Sequence, residues 1–321
     1  MLKGWRASNG GIVFRRDGCA EEMEVACGQC LGCRLDKSRM WAMRIVHEAS
    51  VHEFDRGNCF VTLTYRDRAE CTAEQFLRGY HVPDDWSLNK KHFQDFMKRL
   101  RKGSDAKIRF FHCGEYGNTC KHGIDLEAVG CPLCNVGRPH YHAALFNCSF
   151  GDLESYGSGP DGSLRYTSPS LERVWKYGFV DVGELNFDSA AYVARYIMKK
   201  VTGANADDHY MQIDFDGCAT WVQPEYITMS RRPGIGRAWF DRFKDDVFPS
   251  DEVPVPGSGV FKKVPRYYEE IFACSDPMSM EDIKAVRQKF REEHAEEYTA
   301  DRLMSKYHVK KAQVDMLKRR L

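Results

Sequence analysis

The segment Arg138–Phe146, RPHYHAALF, constrains the fold more than any other stretch of the chain. It reads as a strand over Tyr141–Asn147, and His140 and His142 alternate around Tyr141. A period of two puts both imidazoles on one face, where two histidines can share a metal ion. The other elements must then form a sheet around this strand. FVTLTY, Phe60 to Tyr65, is β-branched and aromatic and predicts a buried strand, and Lys107–Cys113 and Gly178–Leu185 predict two more. Helical spacing is expected over Leu35–Val51, Asn89–Lys102 with Ser87 as N-cap, Ser170–Lys176 and Ser189–Val201. Short connections between these runs point to an α+β domain with a mainly antiparallel sheet.

With 321 residues, 43% of them hydrophobic, the chain has material for one or two packed domains. No run approaches the ~18 apolar residues of a spanning helix. The opening MLKGWRASNG also lacks the apolar run of a secretory signal, so the chain is expected to act in the cytoplasm with no membrane partner. The reading divides it into a Cys-rich segment with a helix over 1–55 and a main domain over 56–248 containing a Cys/His-rich insertion at 117–137. A Pro- and Gly-rich linker at 249–265 and a charged helical tail at 266–321 follow.

A third ligand stands near the histidine pair if the preceding strand forms a hairpin with it, because GEY then brings Glu115 across from them. Two imidazoles and a carboxylate with open positions suit Mg²⁺ or Mn²⁺ acting on a phosphate. In DSAAYVARYIMKK, a helical wheel gathers Ala190, Val193, Ala194, Ile197 and Val201 on one side, with Ala191 and Met198 flanking them. Tyr192 and Tyr196 fall on the other side together with Arg195, Lys199 and Lys200. A tyrosine hydroxyl with a pKa of about 10 becomes a useful nucleophile once a neighbouring cation stabilises its phenolate, a role open to Lys199.

Thirteen cysteines in a chain expected to be cytoplasmic read better as metal ligands than as disulfides. Cys27, Cys30 and Cys33 have C-x2-C-x2-C spacing with Cys19 as the nearest fourth ligand, which suits structural zinc first and an iron–sulfur cluster second. Cys120, His122, Cys131 and Cys134 offer four zinc ligands within the insertion.

FVTLTY, GEYG followed by GRPHYHAALF, and YVARYIMKK occur in the order of the three motifs of HUH endonucleases. From CGQCLGCR to MSRRPGIGRAWF at Met229–Phe240, the chain resembles the replication initiators of gokushoviruses, single-stranded DNA phages of the Microviridae. The insertion after GEYG is longer than the turn usual in that family. The resemblance implies a palm with a central antiparallel sheet flanked by helices, plus a Cys-rich N-terminal unit and a helical C-terminal tail. Glu115, His140 and His142 would be the metal ligands, and Tyr192 and Tyr196 paired nucleophiles. The expected reaction nicks the origin of a supercoiled circular phage genome through a 5′-phosphotyrosine and later rejoins the displaced single strand, with host helicase and polymerase as partners in the bacterial cytoplasm. A tyrosine ester conserves the bond energy for resealing, in keeping with the lack of a G-x4-G-K-[ST] motif.

The net charge of +1 gives no global argument for DNA, but eight Lys or Arg against two Asp between Lys90 and Arg109 make a local one. Lys90, Lys91, Lys98, Arg195, Arg231, Arg232 and Arg237 are the candidate phosphate contacts. Two other readings remain open, an HUH transposase or relaxase and a zinc-dependent nucleic-acid-binding protein in which the tyrosines only stack on bases.

Overall fold

The computed structural model describes residues 2–6, 12–14, 22–117, 137–158, 164–195, 201, 203, 206–213 and 219–318. The chain divides into two units, Met1–Ser38 with Gln288–Leu321, and Arg39–Arg287. The first unit opens with β1 (Leu2–Arg6), β2 (Ile12–Val13) and β3 (Glu22–Val25), a small antiparallel sheet in the order β2-β1-β3. Helix α1 (Leu31–Val51) follows and runs on into the second unit.

The second unit continues with β4 (Asn58–Tyr65), α2 (Ala73–Leu77), α3 (Lys90–Lys102), β5 (Arg109–Tyr116) and β6 (Pro139–Phe146). Next come β7 (Glu154–Ser158), β8 (Leu164–Thr167), α4 (Pro169–Trp175), β9 (Gly178–Gly183) and α5 (Phe187–Arg195). After α6 (Ala206–Tyr210), β10 (Met211–Ile213) and β11 (Ala219–Trp221), the strand β12 (Tyr226–Met229) precedes α7 (Arg237–Val247). The chain closes with β13 (Val253–Val255), β14 (Gly259–Phe261), α8 (Arg266–Ser275), α9 (Pro277–Glu293) and α10 (Ala300–Lys318). No helix among the described residues is long and apolar enough to cross a membrane.

Seven of these strands pair antiparallel in the order β12-β5-β6-β4-β9-β8-β7. Alternation along them separates two layers. Val61, Leu63 and Tyr65 of β4 and Tyr141, Ala143 and Leu145 of β6 meet Phe93, Phe96, Met97 and Leu100 of α3 and Leu171 and Trp175 of α4. On the opposite face, Phe111, Cys113, Ala144 and Phe146 meet Ala42, Met43, Ile45 and Val46 of α1, Ala190 and Val193 of α5, and α7 and α8. The result is an α+β fold whose central antiparallel sheet is flanked by helices, consistent with an HUH-like palm.

Several sequence expectations shift. Helix α3 is capped by Asn89, whose side chain accepts from the Lys91 N–H, whereas the Ser87 hydroxyl accepts from the Gln223 N–H. The segment expected as a linker at 249–265 contains the hairpin β13–β14, because Val253 and Val255 alternate into the core while Gly257 and Gly259 supply positive φ at the turn. The charged tail is helical, and Met280 and Ile283 of α9 are buried.

His47 of α1 ties this layer together. Its ring stacks on Trp239 at 3.5 Å, Nδ1 meets the Tyr268 hydroxyl at 2.9 Å, and Nε2 meets the Pro254 carbonyl at 2.9 Å. An Nε2–H tautomer satisfies both partners, accepting from Tyr268 and donating to Pro254. Burial disfavours the imidazolium and brings the pKa down to about 4. The unfolded histidine protonates near 6.5, so the stability this neutral ring contributes is complete above that pH. It is lost as pH falls toward 4, by roughly 3 kcal/mol in all. Urea unfolding at pH 7 and pH 4.5 should show the loss, and His47→Gln should flatten the pH slope over that window.

Candidate functional site

Strands β5 and β6 pair with Glu115 opposite His140 and Cys113 opposite His142, and β4 places Thr62 opposite His142 and Thr64 opposite His140. Glu115, His140 and His142 therefore share one face of the sheet, as the alternation predicts. Both histidine Nε2 atoms meet the same carboxylate oxygen, Glu115 Oε1, at 2.7 Å and 2.9 Å. Their other nitrogens are held from behind. His142 Nδ1 lies 2.9 Å from Thr62 Oγ1, and His140 Nδ1 donates to the Arg138 carbonyl at 3.2 Å. Anchoring Nδ1 fixes the ring and its tautomer, so that Nε2 is the atom left to bind. The three ligand atoms lie within 4.8 Å of one another. Burial works against the Glu115 charge, but the hydrogen bonds from His140 and His142 outweigh it and hold the carboxyl well below its usual range. A buried anion flanked by two imidazole nitrogens fits a hard or borderline divalent cation with open coordination positions.

Helix α5 delivers Tyr192 to the same face. Ala190, Val193 and Ala194 are fully buried, the predicted stripe as far as α5 is described. Turned away from that stripe, the Tyr192 ring packs edge-on against His142 at 5.2 Å and against Phe60 at 6.1 Å. The Arg195 guanidinium is 5.8 Å from the Tyr192 ring. Tyr196, Lys199 and Lys200 lie outside the described residues, as do Cys19, Cys120, His122, Cys131 and Cys134.

The basic candidates separate. Helix α3 packs on the other face of the sheet from Glu115, so Lys90, Lys91 and Lys98 do not border the triad. Lys91 and Lys98 both reach Asp95, at 2.7 Å and 3.3 Å, and Lys90 Nζ lies 4.9 Å from the centre of the Tyr226 ring. Arg237 makes an i,i+4 pair with Asp241 at 2.7 Å. Arg231 and Arg232 line a cleft of about 380 Å³ with Arg101, Lys107, Arg109 and Ser230. Lys107, Arg231 and Arg232 have no acidic partner among the described residues. The cleft borders Arg109 at the start of β5, six residues from Glu115 and so roughly 20 Å away along the strand. Arg109 pairs with buried Glu48, which also accepts from the Gly236 N–H at 2.7 Å, and this fixes the SRRPGIGR turn.

In the first unit, Cys27, Cys30 and Cys33 bring their sulfurs within 4.8 Å of one another, with Cys27 Sγ and Cys33 Sγ 4.0 Å apart. Tetrahedral Zn–S bonds of about 2.3 Å need sulfurs about 3.8 Å apart, close to this spacing. The Cys27 thiol comes down to about 7 through backbone N–H donation from Cys30 and Gln29, which favours the thiolate a metal needs. Gly28, with φ +71°, makes the turn that aims those amides.

Sequence reasoning missed Thr62, whose ligand-orienting position follows from the alternation of FVTLTY once the pairing with β6 is known. It also missed Arg66 and Phe179, which the register sets on the same face as the triad.

Residues 58–201 match the replication-associated protein ORF2 family, a span that holds the triad and Tyr192. The chain is 31% identical over 273 residues to the replication-associated protein ORF2 of Spiroplasma virus 4, covering 83% of this chain and 73% of that protein. It is 28% identical over 275 residues to the replication-associated protein VP4 of Bdellovibrio phage phiMH2K, covering 84% and 75%. Identity to the replication-associated protein ORF4 of Chlamydia phage 1 is 32% over 192 residues, covering 57% and 40%. No solved structure matches. A relative of this identity and coverage, together with the matched segment around the triad, shows that the chain belongs to the replication-associated protein ORF2 family of the HUH superfamily.

Proposed function

We propose that the chain is a rolling-circle replication initiator of the gokushovirus type, a Mg²⁺- or Mn²⁺-dependent DNA endonuclease and strand transferase. The observation that carries this reading is the convergence of His140 and His142 Nε2 on Glu115 Oε1 beside the ring of Tyr192. A divalent cation held by those three side chains would supply Lewis-acid polarisation of a phosphodiester. Thr62 and the Arg138 carbonyl keep both imidazoles aimed forward.

The Tyr192 oxygen attacks phosphorus, an Oη–P bond replaces the P–O3′ bond, and the strand is left as a 5′-phosphotyrosine. The phenolic proton passes to solvent, and the 3′ oxygen takes up a proton and leaves as a hydroxyl that a host polymerase can extend. Tyr196 attacks in the second round, and Lys199 and Lys200 stabilise the charge that develops on the phosphoryl oxygens. The released 3′-OH then displaces Tyr192 from phosphorus and closes a single-stranded circle. No nucleotide hydrolysis is needed, so strand separation falls to supercoiling or a host helicase. Arg231 and Arg232 hold phosphates of the flanking origin DNA.

Cys27, Cys30 and Cys33 bind structural zinc with Cys19, and Cys120, His122, Cys131 and Cys134 bind a second zinc ion. The zinc content of the purified chain, and its loss from the cysteine variants, tests both sites. The nuclease reading is tested by incubating the chain with the supercoiled parental circle in Mn²⁺ or in EDTA. A nicked strand carrying bound protein on a denaturing gel in Mn²⁺ alone is the expected result. DNA bound without any covalent adduct, by folded and metal-loaded protein, would instead make the chain a binding module.

A further inference from the structure

The register of the sheet sets Phe179 of β9 opposite Thr64 of β4, and Thr64 opposite His140 of β6. Directly opposed residues in antiparallel strands point to the same side, so Phe179 lies on the triad's face two strands from a metal-ligand candidate, about 10 Å across the backbone. Phenylalanine in the middle of a sheet face is ordinarily covered, yet this one is 50% exposed. The neighbouring strand does not reach it, because β8 pairs with β9 only at Val182. Gly178 sets the ring's position, since a Cβ there would overlap the Thr64 carbonyl.

One step further along β4, on the same face, the Arg66 guanidinium lies 5.9 Å from the centre of the Phe179 ring. Arg66 has no acidic partner among the described residues. The nearest acid on this face, Asp181, is faced by Arg165 at 3.6 Å. An exposed aromatic ring, a cation above it and a candidate phosphate site alongside are what a single strand needs, a surface for a base and a charge for its phosphate.

We propose that Phe179 and Arg66 form the platform on which single-stranded DNA stacks the base next to the scissile phosphate. The inference rests on the nuclease reading for the position of that phosphate. Its occupant is a nucleobase of any sequence, because every base offers a π face.

Phe179 is half exposed, so its replacement should leave the fold intact, which circular dichroism would check. Binding of the full chain to a fluorescent oligothymidylate is measured in EDTA, without turnover. Phe179→Ala and Phe179→Leu are expected to weaken binding roughly 5- to 100-fold, and Phe179→Trp to preserve it. Phe179→Trp should also add a tryptophan emission that the oligonucleotide quenches. Arg66→Ala should lower the slope of log affinity against log salt by about 0.7. Wild-type affinity in Phe179→Ala, or no quenching of the added emission by bound oligonucleotide, would overturn the platform even if the wild type forms its adduct. Weakened binding in Phe179→Ala with no adduct in the wild type would sustain the platform and reject the nuclease.

Discussion

His142→Ala should lower Mn²⁺-dependent nicking by about 10³-fold or more, on the scale of losing a preorganised charge-stabilising group. His142 is buried, and its position depends on the pairing of β4, β6 and β5. Removing the ring does more than delete one ligand. Glu115 loses one of the two hydrogen bonds that hold its carboxylate ionised against burial, so its pKa rises and it becomes a poorer anion. Thr62 Oγ1 loses its partner, and Tyr192 loses the ring that supports it. Thr62→Val separates these effects, since it keeps the ligand and removes only the atom that orients it. A loss of about 10- to 100-fold is expected there, the usual cost of an outer-shell partner. Thermal unfolding of both variants, followed beside initial nicking rates over a Mn²⁺ titration, distinguishes a lost ligand from a lost fold. Near-wild-type nicking by folded His142→Ala would remove the triad from the chemistry.

The second large effect concerns the nucleophile. Tyr192→Phe keeps the ring and its edge-on packing against His142 and Phe60, so α5 should stay in place. It removes only the oxygen that forms the phosphate ester. If Tyr196 alternates with it, the single variant can still cleave once but cannot complete the exchange that closes the circle, and closed single-stranded product should disappear. In Tyr192→Phe/Tyr196→Phe, cleavage should fall by about 10⁴-fold or more, toward the effect of removing a covalent nucleophile elsewhere. DNA binding should persist in both, because a phenyl ring still stacks. Equal rates of circle closure in Tyr192→Phe and wild type would show that the ring beside His142 is packing alone.

Much of this site is legible in the sequence because its chemistry is periodic. His140 and His142 are two residues apart in an apolar run, and a strand leaves them only one arrangement. Glu115 follows once the preceding strand is taken as the hairpin partner. The stripe Ala190, Val193 and Ala194 fixes which side of α5 is buried, and so that Tyr192 is turned away from the core stripe.

What was hidden depends on pairings that residue types do not encode. The charge of α3 is plain in the sequence, but its apolar residues Phe93, Phe96, Met97 and Leu100 suit either face of a sheet, and packing chose the one away from the triad. Arg237 looked available until the helix brought Asp241 beneath it. The prolines around Val253 suggested a linker, although Val-Pro-Val also alternates and can seat two valines in a core. Strand β12 has four residues with weak alternation, and its place beside β5 rests on the ladder from Tyr226–Gly114 to Met229–Phe111. Thr62 and Phe179 carry no motif at all, and only the register shows that one anchors His142 and the other lies two strands from His140.

The central claim is that the tyrosine beside the triad becomes covalently joined to DNA. The most direct measurement is mass spectrometry of the Mn²⁺-dependent adduct after digestion of its DNA to a single nucleotide and proteolysis of the protein. The account predicts a nucleotide ester on Tyr192 in the wild type, transferred to Tyr196 in Tyr192→Phe and absent in EDTA. An adduct on a residue remote from Glu115, His140 and His142, or one that forms equally well without metal, would contradict it.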